Sequence, residues 1–227
     1  MKKIILNLFL ILLFLISCSK EEEIIEIINP EEEVENEKTC NIVNKNGLLI
    51  IEAESFDLKG KWRIVEDTKA SNGKYIEYYG GNSYTTPNLS QEITAKFKVD
   101  AGAKYLVKWY MRQPDNAEGD KSNDTWIYFP DNLGRAFVNN ESIVLEHYEK
   151  FVSRGKGEFV YGGVLDLHNP KASSWLTVIF PEAGEYTLKI CARSDFFQLD
   201  KIVLSTGITN EEAEKQSKTL TETIVCN

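Results

Sequence analysis

The stretch QEITAKFKVDAGAKYLVKWYMR, residues 91–112, contains two alternating apolar patterns separated by a turn. Every second residue is apolar in both parts, namely Ile93, Ala95, Phe97 and Val99, and then Tyr105, Val107, Trp109 and Met111. Because successive side chains of a strand point to opposite faces of a sheet, each part predicts a β-strand with one buried face. The Ala101-Gly102 pair between them is typical of a turn.

Similar short runs rich in Val, Ile, Tyr and Phe recur along the chain from about residue 48. They are clearest over residues 175–180, 185–193 and 199–205, and turn pairs such as Asn72-Gly73 separate them. Helical spacing occurs only in the last twenty residues. The sequence therefore predicts an all-β antiparallel β-sandwich or jelly roll over residues 40–206, followed by a C-terminal tail, 207–227. The strands that carry Trp62, Trp109 and Trp175 alternate regularly, which places these rings in the core.

The composition is that of an ordinary globular chain with an acidic balance. Of 227 residues, 42% are hydrophobic and 27% charged, which excludes wholesale disorder. The formal net charge is -9, so no basic face is offered to nucleic acid. Two histidines and four cysteines leave little material for a histidine-based metal site or a Ser-His-Asp triad. The chain is instead rich in oxygen ligands and in aromatic rings.

The N-terminus has the pattern of a bacterial lipoprotein signal. Lys2-Lys3 precede an apolar run to Ile16, and the run ends at Ser17-Cys18, which resembles a lipobox. We expect residues 1–17 to be removed and Cys18 to carry the lipid; an ordinary signal peptide with a chance cysteine is the alternative. The acid-rich residues 18–39 predict a solvated tether.

The first residues after Cys18, Ser19-Lys20-Glu21-Glu22-Glu23, resemble an export signal that sends lipoproteins to the outer face of the outer membrane. An acidic linker without any export role is the alternative. With the export signal, the protein would face the cell exterior and would meet the membrane only through its lipid.

Two of the remaining cysteines flank the predicted sandwich. Cys40 precedes its first strand and Cys226 is one residue from the end of the chain, so in an oxidising compartment a disulfide between them would join the two termini. Cys191 falls inside a predicted strand and is the better candidate for a packed free thiol. The alternative is that all three cysteines are unpaired.

Three carboxylates occupy positions where a strand pattern calls for apolar residues. In the predicted strand LLIIEAE, Glu52 and Glu54 share the face of Leu48 and Ile50, and Asp200 falls on the apolar face of the last strand. Burying three carboxylates without a counter-charge costs several kcal/mol each, so a cation is expected, and oxygen ligands favour calcium.

Two alternatives to a metal remain open at this point. The three side chains would need no cation if they lay at strand ends and reached water. A lysine is a second source of positive charge, and Lys201 is adjacent to Asp200, although alternation points it to the opposite face.

Four segments together resemble family 6 and family 35 carbohydrate-binding modules: IEAESF (51–56), ASNGKYI (70–76), AGEYTLKI (183–190) and FQLDKIVL (197–204). The resemblance spans most of residues 48–206 and implies a calcium-containing, galactose-binding-like jelly roll. It assigns the structural calcium to Glu52, Glu54 and Asp200, with a main-chain carbonyl near Gly73 completing the site.

Groups suited to a sugar cluster in the predicted loops. The segments GDKSNDTW (119–126) and ARSDFFQLDKIVL (192–204) are similar to loops at the ligand-binding end of modules that accompany polysaccharide-degrading systems. Aromatic faces suit the apolar side of a pyranose, and planar polar groups suit its hydroxyls. The candidate ligand-binding residues are Arg112, Asn123, Asp124, Trp126, Arg193, Phe196, Phe197 and Tyr84.

Several of these residues also have a purely structural interpretation. Trp126 begins a strand and would equally suit the core, and of the adjacent Phe196 and Phe197 only one can face a ligand. Arg112 and Arg193 would either be fixed by Asp124 and Asp195 or bind an acidic sugar, which would make the ligand a uronic or sulfated glycan.

The sequence therefore predicts a lipid-anchored surface protein that binds a polysaccharide or oligosaccharide without catalysis, beside glycan-uptake or degradation proteins. One alternative is a polysaccharide lyase or glycoside hydrolase, for which His147-Tyr148 is the only His-Tyr pair near acids. The other is a protein-binding adhesion or assembly module, which would show a broad apolar patch.

Overall fold

The computed structural model describes residues 40–226, with side chains described from 41 to 224. The predicted signal peptide, the lipidation site Cys18 and the tether 18–39 lie outside the described residues. Within residues 40–226, no helix has the length and hydropathy needed to cross a bilayer.

The described chain is built mainly from strands. In chain order these are β1 (Cys40–Ile42), β2 (Leu48–Glu52), β3 (Trp62–Glu66), β4 (Lys74–Tyr78), β5 (Glu92–Val99), β6 (Ala103–Arg112), β7 (Asp124–Tyr128), β8 (Gly134–Val138), β9 (Glu141–Val144), β10 (Glu149–Val152), β11 (Val160–Gly162), β12 (Val164–Leu167), β13 (Ala172–Ser174), β14 (Thr177–Phe180), β15 (Gly184–Ala192), β16 (Gln198–Ser205) and β17 (Ile224–Cys226). Single 3₁₀ turns occur at Ala53–Ser55, Ser71–Gly73 and Leu89–Gln91.

Two large antiparallel sheets form the sandwich, as the alternating sequence pattern predicts. One has the order β13-β12-β10-β7-β15-β5, and the other the order β3-β4-β16-β6-β14-β8-β9, with β2 added on β16 and β11 on β6. The sheets enclose one main core, in which Trp109 of β6 contacts Phe151 of β10 with 4.4 Å between ring centroids. The predicted fold class is confirmed.

The predicted burial of the two alternating strands is also confirmed. Phe97 and Trp109 are 1% and 0% exposed, and each such ring contributes about 1.5–3 kcal/mol through its burial. Trp62 is buried as well, but the prediction for Trp175 is wrong, since this ring is 57% exposed. Residue 175 lies between β13 and β14, outside the strand alternation that the prediction assumed.

A small second cluster covers the other face of β2 and β16. Helix α1 (Asn210–Ser217), capped by Thr209, places Ala213 against Leu48 and Val203. Strand β2 is therefore buried on both faces, and its main-core residues are the odd-numbered ones. The face of Leu48, which Glu52 shares in the sequence pattern, is thus the one toward the C-terminal helix, while Leu49 and Ile51 face the main core.

The termini of the sandwich meet in a separate two-stranded pairing. Strands β1 and β17 are antiparallel, with Cys40 directly opposite Cys226 in the backbone register. The side chains of both cysteines lie outside the described ones, so the disulfide stays a prediction. Cys191 is free and buried within β15, as predicted.

Candidate ligand-binding cleft and carboxylate cluster

A cleft of about 680 Å³ lies on the outer face of the six-stranded sheet. Trp126 of β7 lines it, with Lys150 of β10 directly beside it in the register. We call this the Trp126 cleft; its lining residues are Tyr84, Thr85, Pro87, Trp126, Tyr148, Glu149, Lys150, Asp166, Leu167, His168, Lys171 and Arg193.

Three of the predicted ligand-binding residues converge in this cleft. The guanidinium carbon of Arg193 lies 5.1 Å from the centroid of the Trp126 ring and 5.0 Å from that of Tyr84. The indole Nε1 of Trp126 donates to the carbonyl of Ser83 at 3.0 Å, which ties the loop carrying Tyr84 to the sheet. The arrangement presents two aromatic rings and one planar cation together.

A network of ion pairs and hydrogen bonds holds Arg193 and Lys150 in place. Arg193 donates to the carboxylate of the buried Asp124, and Ser194 donates to the same carboxylate. Lys150 lies 3.5 Å from that aspartate and 2.7 Å from the Asp166 carboxylate. Because Arg193 and Lys150 are held by carboxylates on one side, their orientation is set before any ligand arrives.

The cleft also contains groups that are not fixed in this network. Lys171 and His168 line it, and Glu149 is a half-buried lining acid whose pKa burial raises from its usual range. Sequence reasoning missed Lys150 and Asp166. Both are charged residues at outward positions of alternating strands, a signal that also fits an ordinary solvated face.

Arg112 does not reach the Trp126 cleft. Its guanidinium lies between the rings of Tyr75 and Phe159, at 5.0 and 4.4 Å from their centroids. It donates to Asp67 at 2.8 Å and to Gln198 at 2.7 Å. Arg112, Asp67 and Gln198 line a separate, smaller cleft of about 330 Å³, so the structure places Arg112 apart from Trp126, Arg193 and Tyr84.

Three predicted ligand contacts need correction because their side chains are buried. Asn123 and Asp124 are each 3% exposed, and Phe197 is 1% exposed, packed against Trp109. Phe196 is 49% exposed but is absent from the cleft lining. The backbone of Phe196 has φ of 58°, so the chain turns there and sends the two neighbouring rings in opposite directions.

The three predicted metal ligands are neighbours, linked by one 3₁₀ turn. The Ser71 hydroxyl donates to Glu52 at 2.7 Å, and the Ser71 amide donates to Asp200 at 2.8 Å. Asn72 donates to Glu54 at 3.0 Å. We call Glu52, Glu54 and Asp200 the carboxylate cluster.

The carboxylate cluster has the donor chemistry of a calcium site. The Oε2 atoms of Glu52 and Glu54 are buried without a hydrogen-bond partner. Burial raises the pKa of Glu52 to about 8 and that of Asp200 to about 7, although the positive charge of Lys201 acts to lower both. Hard carboxylate oxygens are what calcium binds. Among the described side chains, however, no three acidic, histidine or cysteine groups already enclose a metal position.

Lys201 points toward the carboxylate cluster, contrary to the expectation from alternation. It lies directly opposite Glu52 in the β2–β16 register and is 2% exposed. Its Nζ donates to the Ser71 hydroxyl at 3.0 Å. The register between β16 and β6 shifts between Leu199 and Lys201, and this irregularity at Asp200 brings both residues to the cluster.

No protein-family model matches the chain, and no curated protein is significantly similar to it. Solved structures do resemble its fold. A family 35 carbohydrate-binding module from Clostridium thermocellum is 16% identical, with a TM-score of 0.44, over 69% of this chain and 98% of that chain. A carbohydrate-binding module of Cellvibrio mixtus lichenase 5A, solved with cellotriose, is 12% identical, with a TM-score of 0.40, over 70% and 97%.

A β-(1,4)-mannanase from Podospora anserina is 12% identical, with a TM-score of 0.43, over 73% of this chain and 29% of that chain. The chain thus spans nearly all of the two isolated modules and less than a third of this enzyme. Both families to which the sequence segments are similar occur among the solved structures, and the likeness concerns the fold alone.

Proposed function

We propose that the protein binds a polysaccharide or oligosaccharide in the Trp126 cleft without catalysing a reaction. The observation that carries this proposal is the placement of the Arg193 guanidinium against both Trp126 and Tyr84. Aromatic rings offer flat surfaces for the CH side of a pyranose, and a fixed guanidinium offers parallel donors for neighbouring hydroxyls or a carboxylate.

We propose an acidic saccharide, uronic or sulfated, because the planar donors of Arg193 suit a carboxylate or sulfate. Lys150, Lys171 and Arg193 line the cleft beside the acids Glu149 and Asp166, and Lys150 and Arg193 are each paired with a carboxylate, so the preference rests on the geometry of the donors and not on net charge. A few stacked rings and exposed hydrogen bonds give only modest affinity for one sugar chain. Many copies on one surface would raise the avidity, which suits a tethered protein.

A non-catalytic role is supported by the state of the cleft carboxylates. Asp124 is neutralised by Arg193, and Asp166 is paired with Lys150. Among the described residues that line the cleft, Glu149 is the one acid outside these pairs, whereas glycoside hydrolysis uses two carboxyl groups that flank the scissile bond. Paired carboxylates instead hold cations in position for recognition.

A polysaccharide lyase is the second candidate, because Tyr148, His168 and Arg193 line the same cleft. Such a set would suit eliminative cleavage of a uronate. The Tyr148 hydroxyl, however, donates to Glu92, and burial raises the pKa of Tyr148 well above its usual range. A hydroxyl held in this way is a poor base, so binding is the better proposal.

The proposal includes a structural calcium in the carboxylate cluster and a lipid anchor on Cys18. The unpartnered carboxylate oxygens support the calcium. The lipobox-like Leu15-Ile16-Ser17-Cys18 and the following acids support anchoring in the outer membrane, facing outward, beside glycan-uptake or degradation proteins.

The test uses the chain from residue 19 onward, expressed without its lipid. Affinity gels containing neutral, uronic or sulfated polysaccharides, each with and without calcium, should show retardation on at least one acidic polymer. Calorimetry with oligosaccharides would then give the affinity. Absorbance of unsaturated uronates, followed over hours on each retained polymer, tests the lyase. Retardation on none of the polymers would contradict saccharide binding.

A further inference from the structure

A buried lysine lies beside the carboxylate cluster without touching a carboxylate. Lys201 is 2% exposed, and its Nζ donates to the Leu220 carbonyl at 2.7 Å and to the Ser71 hydroxyl at 3.0 Å. The same Nζ lies 5.1 Å from the centroid of the Tyr110 ring. A buried ammonium is costly, so its position requires a reason.

The positive charge of Lys201 acts on the cluster through space. Lys201 is directly opposite Glu52 in the β2–β16 register and next to Asp200 in the chain, so its charge lies close to both carboxylates. Its hydrogen bonds nevertheless go to neutral oxygens. The buried Oε2 atoms of Glu52 and Glu54 thus keep no partner and stay free to bind a second cation.

Two other charged groups lie near the cluster. Glu222 accepts its hydrogen bonds from neutral donors, the Ser55 hydroxyl at 2.6 Å and the Glu52 amide at 3.0 Å, and because this side chain is partly exposed, solvent screens its charge. Arg112 also acts on Asp200, but it is paired with Asp67. Among the described side chains, Lys201 is thus the nearby cation that is not paired with an acid outside the cluster.

We propose that Lys201 matches the carboxylate cluster to a single divalent cation. Three ionised carboxylates and one ammonium leave two negative charges, which one calcium ion neutralises. A trivalent ion would leave a buried net positive charge, which is unfavourable. This inference rests on the proposed calcium site and adds to it the residue that sets the valence of the bound ion.

The test compares wild type with Lys201→Met and with the charge-conserving control Lys201→Arg. Calcium and terbium affinities are measured for each by titration calorimetry on the chain from residue 19. Loss of the ammonium should raise the preference for terbium over calcium by roughly tenfold or more, because the cluster gains one net negative charge. Lys201→Arg should keep the wild-type ratio.

A second measurement separates charge from folding. In chelator, Lys201→Met should melt below wild type, since the cluster has lost its internal cation, and calcium should restore more of its stability than in wild type. If Lys201→Met does not fold, Lys201→Gln, which keeps a donor for the Leu220 carbonyl, replaces it in the same comparison.

The outcomes distinguish the two proposals. If calcium binds to wild type and the terbium-to-calcium ratio is unchanged in the neutral variant, the role of Lys201 is overturned while the calcium site stands. If wild type binds no calcium, both proposals fail. A shifted ratio in Lys201→Met together with a wild-type ratio in Lys201→Arg supports the inference.

Discussion

Arg193 lies with its guanidinium carbon 5.1 Å from the Trp126 ring, and it is held there by a carboxylate that solvent scarcely reaches. That carboxylate belongs to Asp124, which lies in the same strand as Trp126. Strand β7 therefore supplies both the aromatic ring and the carboxylate that holds Arg193. The proposed recognition surface is therefore carried by the sheet, and the loop of Tyr84 is attached to it through the Trp126–Ser83 hydrogen bond.

Trp126→Ala should abolish retention on the bound polysaccharide, because the aromatic face that stacks against a sugar is removed. The ring is only partly buried, so the free energy of unfolding should fall by about 1 kcal/mol. Affinity gels measure the first effect and urea denaturation the second.

The matched control for that variant is Trp175→Ala. Trp175 is 57% exposed and lines a different groove, with Phe137. Its loss should leave retention unchanged. Loss of binding in Trp175→Ala with retention in Trp126→Ala would move the binding site to that groove and contradict the cleft assignment.

Arg193→Lys should weaken binding about tenfold or more while Arg193→Ala also destabilises the protein. Lysine keeps the charge beside Asp124 but loses the planar group and its paired donors. Alanine leaves the buried Asp124 with Lys150 alone, which should cost about 3 kcal/mol of stability. Equal affinity in wild type and Arg193→Lys would show that the guanidinium plane does not contact the ligand.

The sandwich could be predicted because its strands alternate. Burial along β5 follows parity, with Phe97 inside, and parity needs no knowledge of the neighbouring strands. In β6 the predicted face of Trp109 is buried, but Lys108 and Tyr110 on the other face are buried as well. The proximity of Glu52 and Asp200 was implied by the resemblance to calcium-containing modules, whereas the residues alone also fitted strand ends that reach water.

Parity fails where the backbone departs from a regular strand. Lys201 was expected to face away from the acids. The register of β16 shifts at Asp200, so regular alternation does not hold there and both Asp200 and Lys201 reach the carboxylate cluster. Phe196 turns outward through a left-handed backbone, and Trp175 lies in a connection. The pairing of Arg112 with Asp67 depends on a long-range contact that spacing does not reveal.

Phe197→Ala should destabilise the protein by about 4 kcal/mol, because it leaves a cavity beside Trp109 in the main core. Phe196→Ala provides the adjacent control, and its half-exposed ring should contribute within about 0.5 kcal/mol. Chemical denaturation of both variants checks the difference. A larger loss of unfolding free energy in Phe196→Ala than in Phe197→Ala would show that Phe196, and not Phe197, is the ring in the core.

Removal of calcium should lower the melting temperature. A ligand that binds only the native state at about 100 times its Kd adds about 2.7 kcal/mol to the free energy of unfolding. Differential scanning calorimetry in calcium and in chelator measures the change. Glu52→Gln should abolish the calcium response, because it removes a buried charged oxygen donor. An identical melt of wild type in chelator would exclude a structural calcium.

The opposed positions of Cys40 and Cys226 predict a bond that joins the ends of the sandwich. The loop it would close spans nearly the whole fold, so its reduction should lower the free energy of unfolding by about 4 kcal/mol if the bond is unstrained. Thiol titration of the denatured, unreduced chain from residue 19 should find one free thiol, that of Cys191, and none in Cys191→Ser. Three free thiols in protein purified from an oxidising compartment would show that the ends are held by the β1–β17 pairing alone.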